Sequence, residues 1–195
     1  MRLVYSFSLI DEIPLSEAFK EMLLNGQNHD LILKVGDKEI KAHQDVLRSR
    51  SQVFKSMLNH NMKEKNSGII DIPDCDAKAM EQFLCYIYTG KVDSLNQNNM
   101  LKLYYIADNY DMKGLKKKCC AFIKKSLSNV NVFEVIKLAL NHSDSGLLEH
   151  ATEHFIDNAQ DIMLTVEWQI FMKDNTTVAN ELLLKSFAKL KNTNA

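Results

Sequence analysis

Histidines, cysteines and lysines are the residues whose types and spacing could do chemistry in this 195-residue sequence. His150 and His154 stand four positions apart in a segment with helical periodicity, the spacing that two ligands of one zinc ion need. The segment lacks an HExxH pattern and offers no third ligand, so we favour a solvated helix face over a metal site. His43 begins a helix after a strand, where a structural bond to nearby backbone is favoured over catalysis.

The sequence carries no recognisable catalytic or nucleotide-binding pattern. No Ser/His/Asp or Cys/His/Asn order has a local signature, and the isolated glycines form neither GxGxxG nor GxxxxGK[ST]. The cysteines form no CxxC pair, which favours small buried hydrophobic thiols in a reducing compartment. We therefore expect a protein that is not an enzyme, with no cofactor and no metal. The cysteines are Cys75, Cys85, Cys119 and Cys120.

The charge balance argues against nucleic acid and membrane partners. The chain has 24 Lys and Arg against 25 Asp and Glu, a net charge of −1, and no apolar run long enough to span a membrane. One basic cluster stands out, and we favour a solvated helix face for it. A docking surface for an acidic partner and a nuclear signal remain open. The cluster comprises Lys113, Lys116, Lys117, Lys118, Lys124 and Lys125.

The elements that position these residues are mixed in the first part of the chain. After Pro14 an apolar stripe predicts a short helix, and two strand patterns flank Gly36-Asp37 as a β-hairpin. Two short helices broken near Ser49 to Ser51 follow, and a third strand pattern ends at Pro73. The predicted strands are Leu31 to Val35, Lys38 to Ala42 and Ile69 to Ile72.

From Asp76 onward the apolar spacing is helical to the end of the chain. These patterns predict an α+β protein, with a small three-stranded sheet flanked by helices and followed by an all-helical region. The alternation of Leu3, Tyr5, Phe7 and Leu9 predicts a further strand near the N-terminus.

The polar loop Asn61 to Asn66 contains one apolar residue, Met62. No period places it in a core, so it either turns inward or fills a pocket on another protein. The residues alone leave both interpretations open.

Ordered motifs make the sequence resemble a known family. From Ala42 to Phe54 the chain reads AHQDVLRSRSQVF after an Asp30 that precedes the first strand, and YIYTG at Tyr86 to Gly90 and ADNY at Ala107 to Tyr110 follow. These motifs resemble the BTB/POZ pattern. The segment from Ser128 to Phe187 is similar to the BACK-like helices of the speckle-type POZ protein (MATH-BTB) group.

The resemblance implies a domain organisation with a BTB/POZ fold. It implies an N-terminal extension at 1–14 that could be a MATH remnant, a BTB/POZ domain at 15–127, a BACK-like region at 128–190 and a tail at 191–195. Since only Met1 to Ile10 could represent the MATH domain, three alternatives are open. The MATH domain lies upstream in a longer product, or the protein modulates longer relatives by dimerising with them, or another segment recruits clients.

The resemblance also implies a function. It implies a dimeric adaptor that recruits cullin-3 to a RING ubiquitin ligase in the nucleus, the cytoplasm or both, for ubiquitination and proteasomal degradation of an unknown client. The alternative is an oligomerisation module that pairs with itself or related BTB proteins without recruiting cullin. Asn158, near a position where relatives often have an aromatic residue, argues against assembly through the C-terminal helices.

The resemblance assigns two sets of site residues by position. The implied dimer residues are Leu15, Phe19, Met22 and Val46. The implied cullin-binding residues are Met62, Glu64 and Tyr110, with the helix Val132 to Leu140 beside them.

Overall fold

The structure is a computed structural model and describes residues 13–60, 68–92 and 96–193. Its packing divides the chain into two units, Met1–Ser94 and Leu95–Ala195. The predicted strand between Leu3 and Leu9 lies outside the described residues, as do Met62 and Glu64. The predicted domain limits at 14 and 127 do not coincide with this division and stay predictions.

The N-terminal unit holds a three-stranded sheet among helices, which confirms the predicted α+β architecture. Its strand order is β2-β1-β3, with β2 antiparallel and β3 parallel to β1. Gly36 adopts a φ of 58° at the hairpin turn, a conformation that favours glycine. The elements are α1 (Leu15–Asn25), β1 (Leu31–Val35), β2 (Lys38–Ala42), α2 (Gln44–Arg50), α3 (Gln52–His60), β3 (Ile69–Asp71) and α4 (Ala77–Thr89).

Period-two burial along β1 builds the core of this unit. Leu31, Leu33 and Val35 are buried, while the residues between them are half-buried. Other buried side chains of the unit come from α2, α3 and α4, which are amphipathic helices. They include Leu47, Phe54, Leu58, Met80, Phe83, Leu84 and Ile87.

The C-terminal unit is helical throughout its described residues. Short polar side chains accept hydrogen bonds from backbone N–H groups at several helix starts, as when Asn96 caps the first helix. The helices are α5 (Gln97–Asn109), α6 (Lys113–Lys125), α7 (Val132–Asn141), α8 (Ser145–Asp157), α9 (Ala159–Ile162), α10 (Val166–Asp174) and α11 (Thr176–Thr193).

An aromatic cluster joins three helices of the C-terminal unit. The ring centroids of Phe133 and Phe171 are 4.6 Å apart, and those of Phe155 and Trp168 are 5.2 Å apart. All four side chains are at most 5% exposed. Burial of large aromatic surface therefore fixes α7, α8 and α10 against one another.

The observed elements differ from the predicted ones at particular residues. The strand β3 ends at Asp71, so Ile72 is buried just beyond it. The predicted helix Val132 to Leu140 extends to Asn141, and Leu140 is 38% exposed. Of the four free cysteines only Cys119 is buried, and the others are half-buried. Within the described residues, no helix is both long enough and apolar enough to span a membrane.

Candidate protein-interaction surfaces

Helix α1 presents apolar side chains at the surface of the N-terminal unit. It follows Pro14 and ends at Gly26, whose φ of 56° is left-handed. The helix packs on α4, yet none of its residues is buried. Leu15 and Leu24 are each 73% exposed. Leu15 continues the stripe of Phe19 and Met22, whereas Leu24 lies on the opposite side of the helix, so α1 exposes apolar surface on two sides.

The predicted dimer residues occupy two elements of this unit. Phe19 and Met22 are half-buried on α1, and Val46 is half-buried on α2. Leu15 is the member of this group that projects furthest into solvent. The structure thus places all of them with exposed surface, and their role in a dimer stays a prediction.

A cavity of about 400 Å³ lies beside α1, between β2 and α4. Leu23, Leu24, Ile40 and Leu84 give it an apolar lining. At its polar margin, the Lys38 ammonium lies 2.5 Å from the Glu81 carboxylate. The groove therefore adjoins the C-terminal end of α1, where Leu23 and Leu24 contribute apolar surface to it.

His43 has a structural role, as predicted. Its backbone N–H donates to the Tyr88 hydroxyl over 2.9 Å, and its Nδ1 lies 2.9 Å from the same oxygen. Its Nε2 donates to the Gln27 carbonyl over 2.8 Å, since that oxygen can only accept. Nδ1 is therefore the acceptor for the Tyr88 hydroxyl proton. Burial raises the pKa of Tyr88 to about 12, which keeps the phenol protonated and able to donate.

Tyr110, the predicted cullin-binding residue of the C-terminal unit, ends α5. Its backbone N–H donates to the Ile106 carbonyl over 3.0 Å, and its side chain is half-buried. Asp111 then adopts a φ of 51°, which turns the chain into α6. The ring of Tyr110 therefore sits at a helix corner with part of its surface exposed.

A polar network that the sequence reasoning missed surrounds Asp108. The Lys116 ammonium donates to one Asp108 oxygen over 2.6 Å, and His142 Nδ1 lies 2.5 Å from the other. Partial burial raises the pKa of Asp108, but the bonds from Lys116 and His142 together outweigh burial and lower it. The four-residue motif ADNY contains Asp108, but its partners are 8 and 34 positions away.

A second carboxylate supports the same region. The Tyr104 hydroxyl donates to Asp144 over 2.6 Å, and the Leu147 N–H donates to the other Asp144 oxygen over 3.0 Å. Burial and the bond to Asp144 raise the pKa of Tyr104. Lys116 lies over the Tyr104 ring, 5.1 Å from its centroid. These contacts tie α5, α6 and the start of α8 together, so the network is structural.

The expected solvated histidine face on α8 is wrong. His150 and His154 are both half-buried, and each is hydrogen-bonded. His150 Nε2 lies 3.3 Å from the Lys124 carbonyl, and His154 Nε2 lies 2.9 Å from Asn129 Oδ1. The four-residue spacing places both rings on the side of α8 that contacts residues 124–129. The described residues contain no group of three His, Cys, Asp or Glu side chains that could hold a metal ion.

Comparison with known proteins identifies a family whose domain profile covers more than half of this chain. A profile of the BTB/POZ domain matches residues 19–127. In Mus musculus, TD and POZ domain-containing protein 4 is 30% identical over 153 residues, which are 78% of this chain and 41% of that protein. Its relative TD and POZ domain-containing protein 5 is 31% identical over 160 residues, which are 82% of this chain and 47% of that protein.

A nematode protein and a solved structure give similar results. BTB and MATH domain-containing protein 42 of Caenorhabditis elegans is 31% identical over 156 residues, 79% of this chain and 38% of that protein. This chain therefore spans less than half of the length of these relatives. The BTB domain of zebrafish PATZ1 matches with a TM-score of 0.50 at 22% identity, over 57% of this chain and 89% of that chain, and thereby shows the fold.

Proposed function

Because the chain belongs to the BTB/POZ domain family, whose profile matches residues 19–127, we propose that it is a dimeric, non-catalytic adaptor that recruits cullin-3. The adaptor brings the RING ubiquitin ligase to a bound client, which is then ubiquitinated and degraded by the proteasome. It works in the nucleus, the cytoplasm or both.

One sequence element carries the cullin part of this proposal. Met62-Lys63-Glu64 matches in type and place the apolar-x-Glu element with which BTB adaptors contact cullin, between α3 and β3. Met62 is the one apolar residue in the segment from Asn61 to Ser67. A flexible thioether side chain adapts well to a pocket on a partner, and the Glu64 carboxylate adds orientation. Tyr110 is the third residue proposed to bind cullin, and its side chain is half-buried.

The dimer part rests on α1. Leu15 is 73% exposed and Phe19 and Met22 beside it are half-buried, and an isologous dimer buries the same patch from both subunits. The proposed contacts are made by Leu15, Phe19 and Met22 on α1 and by Val46 on α2. Dimerisation gives two cullin-binding loops in one particle and therefore raises avidity for a multivalent client.

The same exposed helix favours a second candidate function. A BTB module can form homodimers or heterodimers with longer relatives and modulate them without recruiting cullin. This candidate needs α1 and does not need Met62 or Glu64. The two functions therefore differ in whether the Met62 loop binds cullin.

A pull-down with the N-terminal region of cullin-3 tests the proposal. We expect the wild-type chain to retain cullin and Met62→Asp to lose at least about 90% of it, because a buried carboxylate without a partner is strongly unfavourable. Met172→Asp is the matched control, since Met172 is 41% exposed on α10, and it should retain cullin. Equally weak retention by the wild type and Met62→Asp would sink the cullin proposal and leave the oligomerisation module.

A further inference from the structure

Helix α6 carries an unusual concentration of positive charge. Its thirteen residues include six lysines and no acidic residue, although the whole chain has a net charge of −1. Leu115, Cys119 and Ile123 are buried, and the lysines lie on the other sides of the helix, where Gly114 and Ala121 are also exposed. A uniformly cationic helix face is under electrostatic self-repulsion that a bound anion relieves.

Part of this face forms a groove. A shallow, open concavity of about 410 Å³ runs along α6 to the start of α8, entirely within the C-terminal unit. Its walls are formed by four lysines, and Cys120 and Ala121 lie between them. Burial is the main cause that raises the pKa of Cys120, so its thiol is neutral at pH 7 and adds no opposing charge. The lysines are Lys113, Lys116, Lys117 and Lys124.

The lining of the groove contains one carboxylate, and a second lies nearby on α5. Asp144, the carboxylate in its lining, accepts from the Tyr104 hydroxyl and from the Leu147 N–H. Asp108 accepts from Lys116 and lies 2.5 Å from His142 Nδ1. Burial raises the pKa of Asp144, but its two bonds and the charges of Lys116 and Lys124 together lower it, so it stays ionised at pH 7. Four lysines against this one carboxylate leave the groove lining with a net positive charge.

Three lysines of the groove form no close ion pair with a described carboxylate, although the charge of Lys124 helps to lower the pKa of Asp144. Among the described residues, no carboxylate oxygen lies within 4.0 Å of the ammonium groups of Lys113, Lys117 or Lys124. Lys113 and Lys124 are separated by a rise of about 17 Å along the helix axis, which about five residues of extended peptide span. The groove thus has the length and charge of a site for a short acidic chain.

We propose that the lysine groove of α6 binds an acidic segment, rich in Asp and Glu, of a partner protein. The carboxylates of the segment pair with Lys113, Lys117 and Lys124, and its backbone lies over the Ala121 side of the groove. This site goes beyond the proposed cullin recruitment and does not rest on it, because it involves none of the residues proposed to contact cullin.

The geometry favours a peptide over nucleic acid or a membrane surface. Nucleic-acid affinity grows with the number of phosphates contacted over an extended basic surface, whereas these lysines lie on one helix of a chain with a net charge of −1. A membrane-binding helix adds large apolar side chains beside its lysines. On α6 the exposed residues other than lysine are Gly114 and Ala121.

Fluorescence anisotropy with the full chain tests the proposal. The probe is a fluorescein-labelled peptide of about eight alternating Glu and Asp residues, at an ionic strength of about 0.15 M where distant surface charges are screened. The comparison peptide contains Gln and Asn in the same order. We expect the acidic peptide to bind at least about tenfold more tightly than the amide peptide.

Charge-reversal variants locate the site. Lys113→Glu with Lys117→Glu should weaken binding at least about tenfold. Lys173→Glu with Lys185→Glu changes the net charge equally at exposed positions on α10 and α11, and should weaken it less than about twofold. Circular dichroism confirms that both variants fold.

Three results would overturn the proposal. Equal losses in both double variants would mean that binding follows net charge alone. Equal binding of the acidic and amide peptides would mean that the groove does not recognise the charge of the carboxylates. Tighter binding of an oligouridylate than of the acidic peptide would assign the groove to nucleic acid.

Discussion

Individual polar residues hold each unit together through bonds between distant positions. In the N-terminal unit, Tyr88 bonds both the backbone and the ring of His43, across 45 positions of sequence. In the C-terminal unit, Asp108 is hydrogen-bonded to Lys116 and His142, and Asp144 accepts a hydrogen bond from Tyr104. The predicted structural role of His43 followed from its place before a helix, but its partner did not, because spacing in the chain carries no information on contacts between remote segments.

Asp108→Asn should destabilise the chain in a pH-dependent way. The pKa of Asp108 in the folded state lies below the ordinary value of 3.8. The ionised carboxylate therefore stabilises the fold fully above about pH 3.8, and this stabilisation is lost as the pH falls from there through the folded-state pKa. At pH 7 we expect a loss of about 1–2 kcal/mol in the free energy of unfolding. The difference between wild type and variant should shrink towards pH 3.

Urea unfolding at both pH values measures this effect. The exposed Asp174→Asn serves as the control and should change the free energy by less than about 0.5 kcal/mol. A gap between wild type and Asp108→Asn that stays constant from pH 7 to below the folded-state pKa would contradict the assigned role of the carboxylate.

At the scale of elements, the predicted helices and strands match the structure where a clear hydrophobic periodicity is bounded by capping or turn residues. The hairpin around Gly36 and the helix α4 were predictable, since α4 has a clear apolar stripe between a capping Asp76 and Gly90. The sequence did not predict α9 and α10 as separate helices. Apolar residues occur at most positions from Ile162 to Met172, whereas only Ile162, Trp168 and Phe171 are buried there, so no period marks the inward face.

The end of α1 gives a prediction at this scale. Gly26→Ala should destabilise the chain by about 1–2 kcal/mol, because φ is +56° and an added Cβ would lie 2.8 Å from Lys41 Cδ. Gly146→Ala is the matched control, since Gly146 lies in α8 and an added Cβ there meets no atom closer than 3.9 Å. Alanine in that helix should stabilise by up to about 1 kcal/mol. Equal urea midpoints for the two variants would refute the argument.

At the scale of the whole molecule, the ordered motifs of the sequence were enough to predict the family. The candidate interaction surfaces could be predicted from the sequence only in part. The BTB/POZ resemblance read from residues 42–54, 86–90 and 107–110 is confirmed by the profile match over residues 19–127. Exposure of Leu15 could not be derived from its apolar type, because the same helical stripe is equally typical of a buried helix. The lysine cluster of α6 was visible in the sequence, but the groove that its lysines line with Asp144 was not, because Asp144 comes from a later part of the chain.

The proposed function joins two properties, dimerisation through α1 and cullin binding through the Met62 loop. Neither alone distinguishes a ligase adaptor from an oligomerisation module. A particle with two chains and two cullin molecules requires both properties, and its mass reports them together.

The most direct measurement is therefore the light-scattering mass of the chain mixed with the N-terminal region of cullin-3. We expect two chains with two cullin fragments for the wild type and for the control Leu184→Glu, which is 70% exposed on α11. Leu15→Glu should give one chain with one fragment, because a charge on α1 opposes burial of the dimer patch. A wild-type mixture in which the chain and the cullin fragment elute separately would contradict the adaptor function.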